Sequence, residues 1–404
     1  MRGFSKRTPV EEVVDWIDGC LSPLASESVL LAQSAGRVLL DDIVASIDVP
    51  SFDRAAMDGY AVRGEETVGA SDYNRLPFRL IGESMPGAAF DGTVEVGTTV
   101  RIMTGAPVPA GANAVVPAEY ASSSGDTVEI TSAFPPQKHI GKRGEDVKQG
   151  TTLLRSGRRL RAQDVGLMAS IGVAEVPVIR CPRIRLLITG NELIEPGQPR
   201  GEFEIFESNS YVLRSLTQRD GGIVESIRGL NDDRDAIHSA MTDDGADVII
   251  VSGGSSVGAE DHAPSIVAEH GELAIHGVAM RPSSPTGMGK IADSIIFLLP
   301  GNPVSCLCAY DFFTGRAIRG LGGRSLSWPY PKQQLTLSGK IASAIGRVDY
   351  CRVSISEDGV HPISLSGASI LSSTTRADGF VVVPADSEGF AAGTSIDVWL
   401  YDRD

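Results

Sequence analysis

The spacing of apolar residues changes along this chain, and each change predicts a different kind of element. Near the start, Val10, Val13, Val14 and Ile17 fall at i, i+3, i+4 and i+7, the single stripe of an amphipathic helix. Thr8, Pro9 and Glu11 stand where a cap, a first-turn proline and a capping-box acid belong. A second helix is predicted over Ser28 to Ala35, stopped by Gly36. From about Ile47 to Gly150 the helical period gives way to short stretches between Gly, Pro and Asp turns. Phe78-Leu80-Ile81, Thr98-Val100-Ile102 and Val128-Ile130 are examples, and they predict a β-rich module. Residues 151–180 turn partly helical again, over Ala162 to Ile171, and are expected to return and pack on the opening helices.

The clearest pattern runs from Arg183 to Trp328. Strands are predicted at Ile184 to Ile188, Ile223 to Ile227, Asp247 to Val251, Ile275 to Met280 and Ser294 to Leu299. Between them lie helices from Ser208 or Asn209 to about Arg219, ended by Gly221-Gly222, then from Asp232 to Met241, and finally after Pro303. This alternation predicts a parallel sheet with helices on both faces. Beyond Pro329 and Pro331 the helical signal ends. Leu335, Val353, Ile355, Phe380 to Val383 and Ile396 to Leu400 sit between Gly-rich turns, as in a small barrel-like β domain. The expected division is 1–46 with 150–180 as an elongated domain, 47–149 as the β-rich domain, 181–328 as the α/β domain and 329–404 as the barrel.

Composition narrows the function. The balance of 42% hydrophobic and 22% charged residues is that of a folded globular protein, and 404 residues are enough for several cores. A formal charge of −15 argues against nucleic-acid binding, which needs a basic face. An anionic small substrate would need local cations or a metal held by carboxylates. The five cysteines form no C-x-x-C pair, and Cys306-x-Cys308 reads as two small helix residues. No apolar signal segment opens the chain, and the run Ile295 to Leu299 is far too short to span a bilayer, so a cytoplasmic protein without a membrane partner is expected.

Ligands of open parallel sheets bind outside the carboxyl ends of the strands. Three polar loops are expected there: Thr189-Gly-Asn-Glu192, Ser252 to Asp261, and Leu299-Pro-Gly-Asn-Pro-Val-Ser305. A strand-end carboxylate such as Glu192 can hold Mg²⁺ or a hydroxyl, although a capped turn would also account for it. In Ser252-Gly253-Gly254-Ser255-Ser256-Val257-Gly258 the glycines let backbone amides approach an anion, and Glu260 and Asp261 suit a metal-bridged phosphate. Pro300 and Pro303 fix the backbone around Gly301 and Asn302. Gly254 to Gly258 also matches G-x-S-x-G, so a serine hydrolase using Ser256 stays open, with His262, His270, His276 or His361 as its base. The histidines show no zinc-binding spacing.

Two further runs stand out in the β-rich stretch, Ser51 to Val62 and Arg101 to Asn113. Together with Gly144 to Val147, Thr189 to Leu193, Ser252 to Asp261, Arg281 to Gly289, Leu299 to Ser305 and Gly346 to Arg352, they resemble the molybdopterin molybdenumtransferase family, which includes bacterial MoeA proteins and the E domain of gephyrin. The segments follow the family's order over nearly the whole chain. The resemblance implies an elongated domain, a β-rich domain, an α/β molybdopterin-binding domain and a C-terminal β-barrel. It implies a homodimer with sites built between subunits, and transfer of molybdate into adenylyl-molybdopterin with loss of AMP and a need for Mg²⁺. The adenylyltransferase of the same pathway is a further implied partner. By the matching motifs, Asp58, Glu192, Asp232 and Asp261 are catalytic, with Glu192, Asp232 and Asp261 as metal carboxylates. Thr104, Ser252, Gly253, Gly254, Ser256, Gly258, Arg281, Pro300, Asn302, Pro303 and Arg352 bind substrate, the two arginines attracting molybdate.

The chain departs from the family pattern at several points. Arg281-Pro-Ser-Ser284-Pro285 stands for Lys-Pro-Gly-Lys-Pro, Gly277 for a frequent lysine, Asn191 for Asp, and Gly367-Ala368-Ser369 for Gly-Ser-His. Weaker molybdate binding is the expected consequence. A scaffold role of the same fold, as in gephyrin, is the remaining alternative.

Overall fold

The structure is a computed structural model that describes residues 7–254, 261–364 and 367–401. Its chain contacts divide it into two compact units, one of residues 29–35 and 41–176, the other of residues up to 28, 36–40 and 177 onward.

The first unit is built on a six-stranded sheet. Its strands are β1 (Gly59–Val62), β2 (Leu76–Ser84), β3 (Thr98–Ile102), β4 (Ala114–Pro117), β5 (Ala121–Ser124) and β6 (Thr127–Ile130), in the order β4-β1-β3-β2-β6-β5. Val62, Phe78, Val116 and Val128 fill a core on one face, and Ala61, Val100, Ile102 and Val115 a core on the other. Gly59 is required where β1 passes β4, since a Cβ there would lie 1.9 Å from the Val116 carbonyl oxygen. In the same unit, Ile43–Val44 pairs with Thr152–Leu154, and the helix Ala162–Ser170 packs on a 3₁₀ turn at Leu31–Gln33.

The second unit opens with α1 (Val10–Cys20), whose Val13 and Ile17 are fully buried in one core with Ile184, Leu186 and Ile188. The opening helix therefore packs with the α/β sheet, while the 41–44 and 152–170 segments belong to the other unit. No side-chain cap holds α1, and Thr8 instead pairs through its backbone, its amide donating to the Gly277 carbonyl and its own carbonyl accepting from Ala279. The helix predicted over Ser28 to Ala35 does not form. Ser26–Leu30 is a strand followed by the 3₁₀ turn, because eight residues without a continuous apolar stripe gain too little to nucleate a helix. Gly36 still takes the left-handed conformation expected of a stop, at φ 79°.

The central sheet runs through β7 (Arg183–Thr189), β8 (Ile223–Leu230), β9 (Val248–Ser252), β10 (Glu272–His276), β11 (Gly287–Ile291) and β12 (Ser294–Leu299), in the order β8-β7-β9-β12-β11-β10. Strands β8, β7, β9 and β12 pair in parallel, but β11 pairs antiparallel with both β12 and β10, so the predicted parallel sheet is a mixed one. The tight turn at Ala292 and Asp293 joining β11 to β12 forces the reversal, since a parallel neighbour needs a crossover of a dozen residues. The strand expected over Ile275 to Met280 also lies earlier, ending at His276. Helix α2 (Asn209–Asp220) ends at left-handed Gly221 as predicted. Helix α3 (Arg234–Thr242) starts two residues later than expected, because Asp233 is its cap and accepts from the Ala236 amide at 2.8 Å. That leaves Asp232 on the loop after β8. Helices α4 (Ala263–His270) and α5 (Pro303–Ala309) follow.

The final strands, β13 (Lys332–Thr336), β14 (Val348–Ser356), β15 (Gly359–Ser364), β16 (Gly379–Val383) and β17 (Ser395–Leu400), form a curled antiparallel sheet with its own core around Val353, Val381 and Val398. Tyr350 and Phe380 stack at 4.4 Å and join the core of the α/β sheet. Among the described residues no helix is long and apolar enough to cross a membrane.

Candidate functional site

The parallel strands β8, β7, β9 and β12 end along one edge, and the loops leaving them enclose a pocket of about 700 Å³. Thr189 and Glu192 come from the end of β7, and Asp232 from that of β8. Ser252, Gly253, Gly254 and Asp261 follow β9. Pro300, Asn302 and Pro303 follow β12. All the candidates of these loops that the structure describes meet in this one place. Ser256, Gly258 and Glu260 lie outside the described residues.

Hydrogen bonds fix the loops to one another. Asn209, at the start of α2, donates from Nδ2 to Ser252 Oγ at 2.9 Å and to the Gly301 carbonyl at 2.8 Å. The Asp232 amide donates to Asn191 Oδ1 at 3.2 Å. Gly253 adopts φ 101° and crosses so close to β7 that a Cβ would lie 2.4 Å from the Thr189 carbonyl oxygen. A side chain is excluded there both by conformation and by space. Glu207 accepts from the Ser210 amide at 2.7 Å, so the N-terminus of α2 already has its anion.

Four carboxylates line the pocket, Glu192, Glu207, Asp232 and Asp261, and among the described residues no Lys, Arg or His does. An anionic ligand in such a place needs a cation brought with it. Among the described residues no three His, Cys, Asp or Glu side chains converge to hold a metal by themselves, so Glu192, Asp232 and Asp261 are not a preformed cage. The donor set is nevertheless hard oxygen only, which fits Mg²⁺ held by one or two carboxylates and completed by substrate phosphate and water.

A second cavity of about 390 Å³ shares Pro285, Pro300 and Asn302 with the first and has the opposite character. Arg7, Arg281 and Arg347 line it, with Ser284, whose hydroxyl is buried without a hydrogen-bond partner among the described residues. The role assigned to Arg352 needs correction. It is fully buried, on a stretch of β14 buried from Asp349 to Val353, and it lines neither cavity. Arg347, from the same Gly346 to Arg352 segment, is half-buried and lines the basic cavity. Arg281 does reach the cavity, but its charge is engaged: its Nε donates to Asp349 Oδ1 at 3.1 Å and its Nη2 to Oδ2. Arg347 Nε lies 3.2 Å from the same carboxylate.

Asp58 and Thr104 lie in the other unit. Thr104 donates to Asp58 Oδ1 from its hydroxyl and its amide, both at 2.7 Å, and these bonds, the hydroxyl's first, hold the carboxyl below its usual range. Asp53 accepts from Lys142 Nζ at 2.7 Å and from the Arg143 amide at 2.9 Å, and the Gly105 amide donates to the Ala55 carbonyl. The runs Ser51 to Val62, Arg101 to Asn113 and Gly144 to Val147 thus cluster around one surface.

Sequence reasoning missed Asn209, Glu207, Phe206 and Ser369 as pocket residues. In the sequence Asn209 reads only as a helix start. Ser369, marked in the sequence only as a departure from the family's Gly-Ser-His, donates to Asn302 Oδ1 at 2.7 Å from the C-terminal β region. The hydrolase alternative rests on Ser256, which lies outside the described residues; among the described residues no histidine lines either cavity, and His361 pairs with Asp358. Burial pushes the Cys306 thiol up to about 12 and raises that of Cys308 well above its ordinary value, which leaves both unreactive, as expected of packing residues.

Three family models match the chain in succession: the MoeA N-terminal region (domain I and II) over residues 8–172, a probable molybdopterin binding domain over 185–319, and the MoeA C-terminal region (domain IV) over 334–401. Molybdopterin molybdenumtransferase 2 of Mycobacterium tuberculosis is 37% identical over 92% of this chain and 94% of its own. Molybdopterin molybdenumtransferase of Staphylococcus aureus is 31% identical over 98% and 96%. A crystal structure of the molybdopterin biosynthesis MoeA protein of Pyrococcus horikoshii superposes with a TM-score of 0.77 at 30% identity, covering 98% of this chain and all of that one. With similarity of this extent over both units, and with the family's strand-end motifs gathered in one pocket, the chain belongs to the molybdopterin molybdenumtransferase family.

Proposed function

We propose that this protein is a transferase that inserts molybdate into adenylyl-molybdopterin, with release of AMP and a requirement for Mg²⁺. The observation that carries this reading is the pairing of two adjoining cavities of opposite charge. The acidic one suits a phosphoanhydride that arrives with a divalent cation, and the basic one suits a small dianion.

In the acidic cavity, the amide of Gly254 and the hydroxyl of Ser252 would receive phosphate oxygens, while the Gly253 amide donates to the Leu299 carbonyl at 3.1 Å and holds the turn in place. Glu192, Asp232 and Asp261 would hold Mg²⁺, which when bound neutralises phosphate charge and polarises the anhydride. Pro300 and Pro303 would keep the Asn302 amide at the junction of the cavities without an entropic cost on binding. Arg281 and Arg347 would draw molybdate to the other side of Asn302. The test is a reconstitution of purified protein with adenylyl-molybdopterin, molybdate and Mg²⁺, following AMP and cofactor formation together. Molybdate-dependent cofactor formation supports the reading, and its absence with AMP release also absent leaves only the scaffold alternative.

Molybdate affinity should be limited by the missing lysine at Ser284. A partly exposed charge contact is worth on the order of 1 kcal/mol, several-fold in affinity. Ser284→Lys is therefore expected to lower the molybdate concentration that gives half-maximal cofactor formation several-fold. No gain in a folded Ser284→Lys protein would mean that molybdate does not bind beside this position.

The reading also includes a homodimer whose sites take Asp58 and Thr104 from one subunit and Asp261 from the other. If so, Asp58→Ala and Asp261→Ala proteins, each inactive alone, should regain activity when unfolded together and refolded as a mixture. Sedimentation of the wild type as a strict monomer would rule this out. An adenylyltransferase that supplies the substrate, and a cytoplasmic location, belong to the same proposal.

A further inference from the structure

Two histidines that the proposed reaction does not use meet between α3 and α4, and neither lines a cavity. His238 of α3 and His270, the last residue of α4, lie with ring centroids 4.1 Å apart and planes inclined by 37°. Ile237 and Met241 of α3 share one core with Ile266 and Val267 of α4, so both rings stand on a packed platform. His238 is half-buried and His270 is exposed, so solvent reaches the pair. Beside them Arg234 pairs with Glu269, which occupies the nearest carboxylate of α4. Among the described residues neither ring has a hydrogen-bond partner.

A neutral imidazole carries a lone pair on one ring nitrogen, and two such rings side by side can chelate one ion. With metal–nitrogen bonds of about 2.0–2.1 Å, each ring centroid lies about 3.2 Å from the ion. Two ligands at a right angle then have centroids about 4.5 Å apart, and two tetrahedral ligands about 5.2 Å apart. The observed 4.1 Å is close to the first and well short of the second. A half-turn of either ring about its Cβ–Cγ bond keeps its plane and exchanges the sides its nitrogens face, so neither helix has to move. Neutral nitrogen donors do not suit Mg²⁺, which takes oxygen. Among the described residues no third His, Cys, Asp or Glu converges here, so water must fill the remaining positions.

We propose that His238 and His270 form an open, two-imidazole site for a divalent transition ion of the Ni²⁺ or Cu²⁺ class, separate from the carboxylates of the acidic cavity. The right-angled geometry and the nitrogen donors select such ions over Mg²⁺ and over tetrahedral Zn²⁺. The site does not depend on the substrate reading. An ion held by both rings cross-links α3 to α4. Each of these helices starts from a loop of the acidic cavity, α3 just after Asp232 and its cap Asp233, and α4 just after Asp261 and His262. The ion thus ties together two elements that carry cavity carboxylates.

The test is calorimetric titration of the whole protein with Ni²⁺ in excess Mg²⁺, which occupies oxygen sites. Wild type should bind one Ni²⁺ per chain at this site. His238→Gln and His270→Gln should each weaken that binding about ten-fold or more, since each removes one of the two protein ligands. His361→Gln, at a histidine paired with Asp358, should leave it unchanged. Melting curves give a second readout. Ni²⁺ should raise the melting temperature of wild type and of His361→Gln, because the site exists only in the folded state, and should raise it in neither ring variant. No Ni²⁺ binding by wild type overturns the proposal. Equal binding by wild type and both ring variants means an adventitious ion only and overturns it too. Loss in one ring variant but not the other shows a single imidazole and rejects the chelate.

Discussion

In an Asp261→Ala protein, AMP release from adenylyl-molybdopterin is expected to fall by at least about 100-fold, while the fold is retained. Glu192, Asp232 and Asp261 line one cavity that has no basic side chain among its described lining. The negative charge of the anhydride must then be met by a divalent cation, and metal charge stabilisation is worth several kcal/mol, of which each 1.36 kcal/mol is a factor of ten in rate. Asp261 lies on a loop before α4 and is only partly buried, so removing its carboxylate leaves no cavity in a core. Wild-type enzyme in EDTA should show a comparable loss, and EDTA should take little more from Asp261→Ala. Full AMP release by either would remove the metal from the mechanism.

The largest expected effect on stability lies away from the cavity. Asp220, at the end of α2, is almost fully buried and meets Arg319 Nη1 at 2.9 Å and Arg219 Nη2 at 2.9 Å. Arg219 also reaches Asp311 at 3.2 Å, and Tyr330 donates to that carboxylate at 3.0 Å. Burial pushes the Asp311 carboxyl up to about 6 against the pull of Arg219, so the network holds together only while its charges balance. Asp220→Ala leaves Arg319, 4% exposed, without its partner. Breaking a buried ion pair on one side costs about 3–5 kcal/mol. Urea unfolding followed by tryptophan fluorescence should show this, because Trp328 reports on the same region through its Nε1 bond to the Asp311 carbonyl. A loss below about 1 kcal/mol would place Arg319 in contact with water, contrary to its burial.

What the sequence determined by itself follows from local physics. The stripe at Val10, Val13, Val14 and Ile17 makes a helix wherever it packs, because 3.6 residues per turn put those side chains on one face. The runs ending at Ile188, Val251 and Leu299 could only be buried strands, and glycines after Asp220 and Ser252 could only be turns. Once these strands are parallel neighbours, their loops must share an edge, which is why Glu192, Ser252, Asp261 and Pro300 could be named together before any coordinates. The tertiary structure decided the rest. No spacing rule tells that α1 buries Val13 and Ile17 in the core of the α/β sheet, or that Ser28 to Ala35 lacks the burial a helix needs. Arg347 and Arg352 are the same residue type, five positions apart in one segment, and only the packing of β14 against the α/β core makes the first a surface of the basic cavity and the second a buried charge. Thr189 is the extreme case. Its letter in the chain says only that a hydroxyl is present. That the hydroxyl has no partner is a property of every group that could have reached it and does not, and this is fixed by three loops from distant parts of the sequence.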